Sequence, residues 1–198
     1  VTTEEVIVAI VRILAAIPVL FWPFPGAIIA ILGDLSDLFF MNLLDLGGIR
    51  DYQEFDKWLD QAYMITFLIV ALRWQPVPRN IAVALFVYRE VGFVVFQLTE
   101  NRDLLILFPN VFEYWFVFVA ALKFFHLEEG QWQGRAALFG LIPFRYSPAQ
   151  LAAVLPLLTA AKLLHEYMLH IGRWFDGFTA VEAVEAIWHW LTTPFRSP

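Results

Sequence analysis

Apolar residues along this chain gather into six runs, and the polar stretches between them are mostly short. The first run covers about Val6 to Trp22, with Thr2 and Glu5 spaced as a capping box at its start. The second comes after Pro23 and Pro25 and covers Gly26 to about Leu44. The third covers Lys57 to Trp74 and is closed by Pro76 and Pro78. The fourth covers Asn80 to Leu98, the fifth Leu104 to Phe125 and the sixth Ala149 to Ile171. Pro156 falls inside the sixth and is expected to bend it. Runs of about 17–23 residues suit a hydrocarbon core of about 30 Å.

The longest connection lies between Phe125 and Ser147. It carries Glu128, Glu129 and three glycines, with Trp132 and Phe139 as expected interfacial anchors. Beyond the sixth run, Ala180 to Leu191 reads as an amphipathic helix lying on the membrane surface. Val181, Val184, Ile187, Trp188 and Leu191 fall on one side of it, and Glu182, Glu185 and His189 on the other. The pattern predicts an all-α integral membrane protein. A bundle of about six transmembrane helices would occupy residues 1–171, and a C-terminal amphipathic, interfacial segment residues 172–198.

Composition agrees. Of the 198 residues, 60% are apolar and only 16% charged, with a mean hydropathy of +0.66. A water-soluble domain of this size cannot bury that much apolar surface. The net charge of −6 speaks against a nucleic-acid partner and gives no polybasic lipid-binding tail, while the apolar composition makes the bilayer and its phospholipids the expected surroundings. There are no cysteines, so thiolate metal sites and cysteine nucleophiles are excluded. The start carries Glu4 and Glu5 where a signal peptide would be basic, so none is expected. With the N-terminus placed in the cytoplasm, Arg50, Lys57, Arg102, Arg173 and Arg196 fall inside. Arg73, Arg79, Lys123, Arg135 and Arg145 then fall outside, and these equal numbers leave orientation undecided.

Ionisable residues inside spans mark function by default. Arg12, Asp34, Asp37, Arg89, Glu90, Glu113, Lys162, His165, Glu166 and His170 all lie within the runs. Asp34 and Asp37 are three apart and Asp56 and Asp60 four apart, so each pair shares a helix face. A short loop joins the two helices, so both pairs can meet at one membrane surface. Four carboxylates meeting there need a cation between them, and oxygen ligation suits Mg²⁺, Mn²⁺ or Ca²⁺. The plainer alternative is that Asp56 and Asp60 line a wet loop with Asp45, Asp51 and Glu54. Lys162, Glu166 and His170 form one stripe, in which Lys162 and Glu166 can neutralise each other. Asn110 and Glu113 can act as helix–helix glue.

The stretch GDLSDLFFMNLLDLGGIRDYQEFDKWLD resembles the signature region of the CDP-alcohol phosphatidyltransferases. These membrane enzymes move a phosphatidyl or similar phosphoryl group from a CDP-linked donor to an alcohol. Their pattern places two Asp three apart at the end of the second helix, then Gly and an Ala-Arg pair. A further Gly and two Asp four apart come next, at the start of the third helix. Asp34, Asp37, Asp56 and Asp60 hold the four acidic positions. Arg12 in an apolar first helix and the pair Arg89-Glu90 in the fourth run are similar to features of several members. The resemblance covers about residues 5–98.

It implies that Asp34, Asp37, Asp56 and Asp60 bind Mg²⁺ or Mn²⁺ and that Asp60 doubles as the catalytic base. Arg89 and Lys57 would then hold substrate phosphate. The chain departs from the pattern at Leu38 for the first Gly, Met41-Asn42 for Ala-Arg and Tyr52 for the later Gly. These positions bear on nucleotide binding. Two functions therefore stand side by side: a divalent-metal-dependent phosphotransferase of phospholipid synthesis, and a non-catalytic relative serving as an accessory subunit of a larger membrane complex.

Overall fold

The computed structural model describes residues 2–36, 52–100, 102–128 and 143–168, and four separate positions near the C-terminus, 182, 185, 188 and 189. Asp37, Leu38, Met41, Asn42, Asp45, Asp51, Trp132, Phe139 and His170 lie outside the described residues. So does the expected amphipathic segment, apart from those four positions.

Among the described residues the fold is all-α, with six helices. They are α1 (Thr3–Ala16), α2 (Pro23–Leu35), α3 (Tyr52–Ala71), α4 (Pro76–Thr99), α5 (Val111–Phe124) and α6 (Pro148–Glu166). The capping box of α1 is formed, with Thr2 Oγ1 accepting from Glu5 N at 3.1 Å and Thr2 N donating to Glu5 Oε2 at 2.8 Å. Pro18 ends α1, and the chain tightens into a 3₁₀ turn, Ile17–Leu20, before Pro23 opens α2. Pro76 opens α4 in the same way, so Pro76 and Pro78 begin a helix as well as closing the one before. Pro156 sits within α6, which continues through it.

The fifth run begins later than its hydropathy suggests. Arg102–Leu107 forms a 3₁₀ turn, and α5 starts only at Val111. Pro109 has no N–H to give and holds Phe108 away from helical geometry, while Asn110 accepts from Glu113 N at 3.3 Å as N-cap.

The core is aromatic and lies between α3 and α5. Met64, Phe67, Phe112, Trp115, Phe116 and Val119 are fully buried. Phe67 and Phe116 stack with centroids 4.0 Å apart, and Trp74 stacks with Phe116 at 5.1 Å. Such pairs add about 0.5–1.5 kcal/mol each beyond the area they bury. The Trp115 indole donates to the Pro78 carbonyl at 3.0 Å and ties α5 to the first turn of α4. Phe24 at the start of α2 meets Phe124 and Phe125 at the end of α5, with centroids 5.4 and 5.5 Å away. The α1–α2 turn, the α3–α4 turn and the end of α5 therefore share one end of the bundle, here called the aromatic end.

The exterior inverts the usual pattern. Helix α1 buries Glu4, Glu5 and Arg12 and exposes Val6, Ile10, Ile13 and Leu14. Arg89 and Lys162 are buried as well, while Val87, Val91 and Val94 on α4 and Leu157, Leu163 and Leu164 on α6 are exposed. An apolar exterior of this extent marks contact with lipid or with other proteins. By length and composition, one helix among the described residues, Pro76–Thr99, is able to cross a membrane, and Pro23–Leu35 is apolar but shorter.

Gly26 lets α2 approach the 3₁₀ turn, because a Cβ there would run into the backbone of Pro18 and Val19. Gly26→Val is expected to lower stability by about 1–3 kcal/mol through overpacking. The check is a thermal unfolding midpoint in detergent, clearly below that of a substitution at exposed Ile28.

Candidate functional site: an ion cluster between three helices

Three of the expected aspartates converge. One carboxylate oxygen from each of Asp34 on α2 and Asp56 and Asp60 on α3 lies within 4.8 Å of the others. Asp56 and Asp60 are four apart on a helix and so present both carboxylates to one side. Asp34 comes from the last turn of α2, the helix packed against α1 and α3.

The Arg12 guanidinium reaches all three. Its Nη1 donates to Asp56 Oδ1 at 2.9 Å and its Nη2 to Asp60 Oδ1 at 2.7 Å, and Nη2 also pairs with Asp34 Oδ1. Lys57 closes the far side, with Nζ 2.5 Å from Asp56 Oδ2 and 3.2 Å from Asp60 Oδ2. Asp56 and Asp60 thus each give one oxygen to Arg12 and the other to Lys57, forming a closed ring of alternating charge. The Arg12 side chain is only 2% exposed. Asp34 is eleven residues into α2 and Asp60 eleven before the end of α3, which puts the ring about 16 Å from the aromatic end.

Of the other expected site residues, Lys57 belongs to this ring and Asp37 lies outside the described residues. Arg89 turns to the backbone instead of the aspartates. Its Nη1 donates to the Phe108 carbonyl at 2.8 Å, and the neighbouring Tyr88 hydroxyl donates to the Leu107 carbonyl. Both side chains serve carbonyls freed where the chain leaves helical geometry before α5.

A second polar cluster links α3, α5 and α6. Asn110 Nδ2 donates to Tyr63 Oη at 3.0 Å and to Glu113 Oε2 at 3.2 Å. Lys162 Nζ lies 3.6 Å from both Glu113 Oε2 and Glu166 Oε1, and 5.6 Å from the centre of the Tyr114 ring. Lys162 therefore neutralises Glu166, as its spacing suggests, and also reaches across to α5. A third group anchors the connection before α6. Glu128 accepts from Lys123 at 2.8 Å and from the Tyr146 hydroxyl, and burial together with that hydrogen bond pushes the Tyr146 phenol up from its ordinary pKa.

Sequence reasoning placed the aspartates together but missed the residue at their centre. Arg12 carried the signal itself, as a lone cation in an apolar helix that needs acids within reach. The Lys162–Glu113 pair was missed because no spacing rule connects different helices.

The chain matches no family model, no curated protein and no solved structure.

Removing Arg12 takes the buried cation from Asp34 and leaves Asp56 and Asp60 with Lys57 alone. Arg12→Met is expected to cost about 3–5 kcal/mol, since it breaks a buried pair on one side only. Adding Asp60→Asn to Arg12→Met should recover part of that loss. Unfolding midpoints of the two single variants and the double variant, treated as a cycle, measure the coupling. Simple additivity would contradict the ring.

Proposed function

We propose that the chain is a multi-span membrane protein whose aspartate ring joins helices, and that it serves as a non-catalytic accessory subunit of a larger membrane complex. The observation that carries this reading is the position of Arg12. It sits at the shared focus of Asp34, Asp56 and Asp60, where a metal-dependent transferase would place its cation. A divalent ion would have to displace the guanidinium, so the residues as arranged do not fit Mg²⁺ or Mn²⁺. The inverted exterior supports a membrane-embedded bundle, because a helix that buries Arg12 and exposes Ile10, Ile13 and Leu14 suits lipid far better than water. The departures at Leu38, Met41-Asn42 and Tyr52 from the CDP-alcohol phosphatidyltransferase pattern support loss of nucleotide binding.

The convergence of the three carboxylates favours a second reading, a divalent-metal-dependent phosphotransferase of phospholipid synthesis. In it Asp34, Asp37, Asp56 and Asp60 hold the metal, Asp60 takes the acceptor's proton, and Arg89 and Lys57 hold phosphate. It requires Arg12 to swing out of the cluster and Lys57 and Arg89 to exchange their present partners for substrate.

Purified protein incubated with CDP-diacylglycerol, Mn²⁺ and a panel of alcohols separates the two. The expected result is no CMP release above an Asp60→Asn control. Mn²⁺-dependent release that the substitution abolishes would replace the first reading with the second. Gentle extraction from its native membrane should also yield the protein in a stoichiometric assembly. A free monomer under those conditions argues against the accessory role.

A further inference from the structure

The outward faces of α1 and α6 present Ile10, Ile13, Leu14, Leu157, Leu163 and Leu164, as suits lipid. The groove between α3 and α4 is built differently. Two contacts fix its register. Trp58 on α3 meets Phe93 on α4 edge-on, with centroids 5.2 Å apart, and the Gln61 amide donates to the Glu90 carboxylate. The two helices run antiparallel, so one turn further along this register brings Gln97 to the level of Glu54. Trp58 stays 56% exposed, and Gln61, Glu90 and Gln97 are half-buried, so the groove is open on its outer side.

The polar groups of this groove are not satisfied from within. Glu90 Oε1 and Gln97 Nε2 have no hydrogen-bond partner among the described residues. The buried cations are all engaged elsewhere. Arg12 and Lys57 are held by the aspartate ring, Lys162 by Glu113 and Glu166, and Arg89 donates to the Phe108 carbonyl. Glu90 stands fourteen residues past Pro76 in a helix of 24 residues, about 4 Å beyond its middle. In a hydrocarbon core about 30 Å thick, lipid headgroups lie out of reach of a carboxylate at that depth. A charge there needs an opposite charge beside it. Only a segment whose backbone bonds close on themselves can carry one in, which in an α-helical bundle means another helix. A second copy docked on the same groove about an axis along the membrane normal would set Glu90 against Glu90. The matching cation therefore belongs to a different chain.

We infer that a transmembrane helix of a partner subunit docks in the α3–α4 groove and sets a Lys or Arg side chain beside Glu90. The inference rests on the accessory-subunit reading above and names the surface and the partner chemistry for it. Trp58 and Phe93 give the arriving helix an aromatic wall, and Gln97 offers it an amide donor. The last torsion of a glutamate is broad, so either oxygen of Glu90 can turn to the cation while Gln61 keeps the other. Polar groups set in an otherwise apolar helix surface are the usual means by which spans recognise each other in lipid.

The test is photo-cross-linking of the full chain in its native membrane. Trp58 and Val94, both exposed at the groove, and Ile10 on the outer face of α1 are each replaced by p-benzoylphenylalanine, and the cross-linked peptides are sequenced by mass spectrometry. The expected result is that Trp58 and Val94 capture one apolar segment of another protein, that this segment holds a Lys or Arg, and that Ile10 does not capture it. Glu90→Gln should lower the yield from Trp58 at least about tenfold, since it leaves the partner's cation unpaired. Exchanging the charges, with Glu90→Lys here and an acid in place of the partner's cation, should restore it. If Glu90→Gln also lowers the unfolding midpoint, the exchange decides, and its failure overturns the pairing. A captured segment without a basic residue overturns the inference, as does one from a second copy of this chain, capture of lipid alone, or a yield that Glu90→Gln leaves unchanged. A stoichiometric assembly that gives no cross-link from the groove overturns the docking surface and leaves the accessory reading standing. A free monomer after gentle extraction overturns both.

Discussion

A guanidinium placed among helices whose outer faces are isoleucine and leucine must find acids, because an uncompensated charge there costs several kcal/mol. Arg12 is such a group, and the arrangement of α1, α2 and α3 answers its need. Its three partners lie on two other helices, at positions far away in sequence. Close packing makes the reach possible. Ala15, one turn after Arg12, lies against Gly33, the residue before Asp34, where a Cβ would clash. The small residues thus bring α1 and α2 together at the level where the ion pair forms. Lys57 then takes up the oxygens that Arg12 leaves over, so that Asp56 and Asp60 are matched on both sides.

The other half of the bundle is organised by rings and a smaller polar layer. Phe67, Phe116 and Trp74 form a stack between α3 and α5, and the polar contacts of Asn110 and Lys162 sit beside it. Asn110 does two jobs with one side chain. Its Oδ1 caps α5, and its Nδ2 reaches Tyr63 on α3, one turn beyond Asp60. The start of α5 is therefore fixed against the same helix that carries the ion ring. Arg89 and Tyr88 secure the carbonyls just before it, and Gly92 on α4 makes room for Phe108. A turn with its carbonyls satisfied by α4 side chains can lie between helices without exposing bare backbone.

Much of the fold was legible because hydrophobic runs and prolines are local signals. The Thr2–Glu5 box and the six helices could be read that way. The start of α5 could not, since Leu104 to Leu107 are as apolar as the helix itself, and only Pro109 with Asn110 marks the break. The convergence of Asp34, Asp56 and Asp60 was legible from helix periodicity and a short connection. The group that fills the space between them was not, because the hydrophobic pattern gives Arg12 no direction. That depends on how α1 rotates against α2, which Gly33, Ala15 and the burial of Val8 and Ala16 decide together. The family pattern drew attention to Arg12 as a feature of the first helix but gave it no aspartate partners.

Whether an acid cluster works as chemistry or as architecture depends on which cation is the easier one to keep. Arg12 and Lys57 against three aspartates leave one negative charge within the ring. Adding a divalent ion to both cations would overshoot to a net positive charge, so a metal must expel one of them. Exchanging Arg12 for such an ion would formally neutralise the described ring. The obstacle is where Arg12 would go. Its side chain is 2% exposed, and the face of α1 turned outward is Ile10, Ile13 and Leu14. A guanidinium displaced along that face would meet apolar surroundings and carry off the contact that joins α1 to α2 and α3. Metal binding and the packing of α1 therefore compete for the same three carboxylates. The arginine has the advantage of being covalently part of the helix it holds in place.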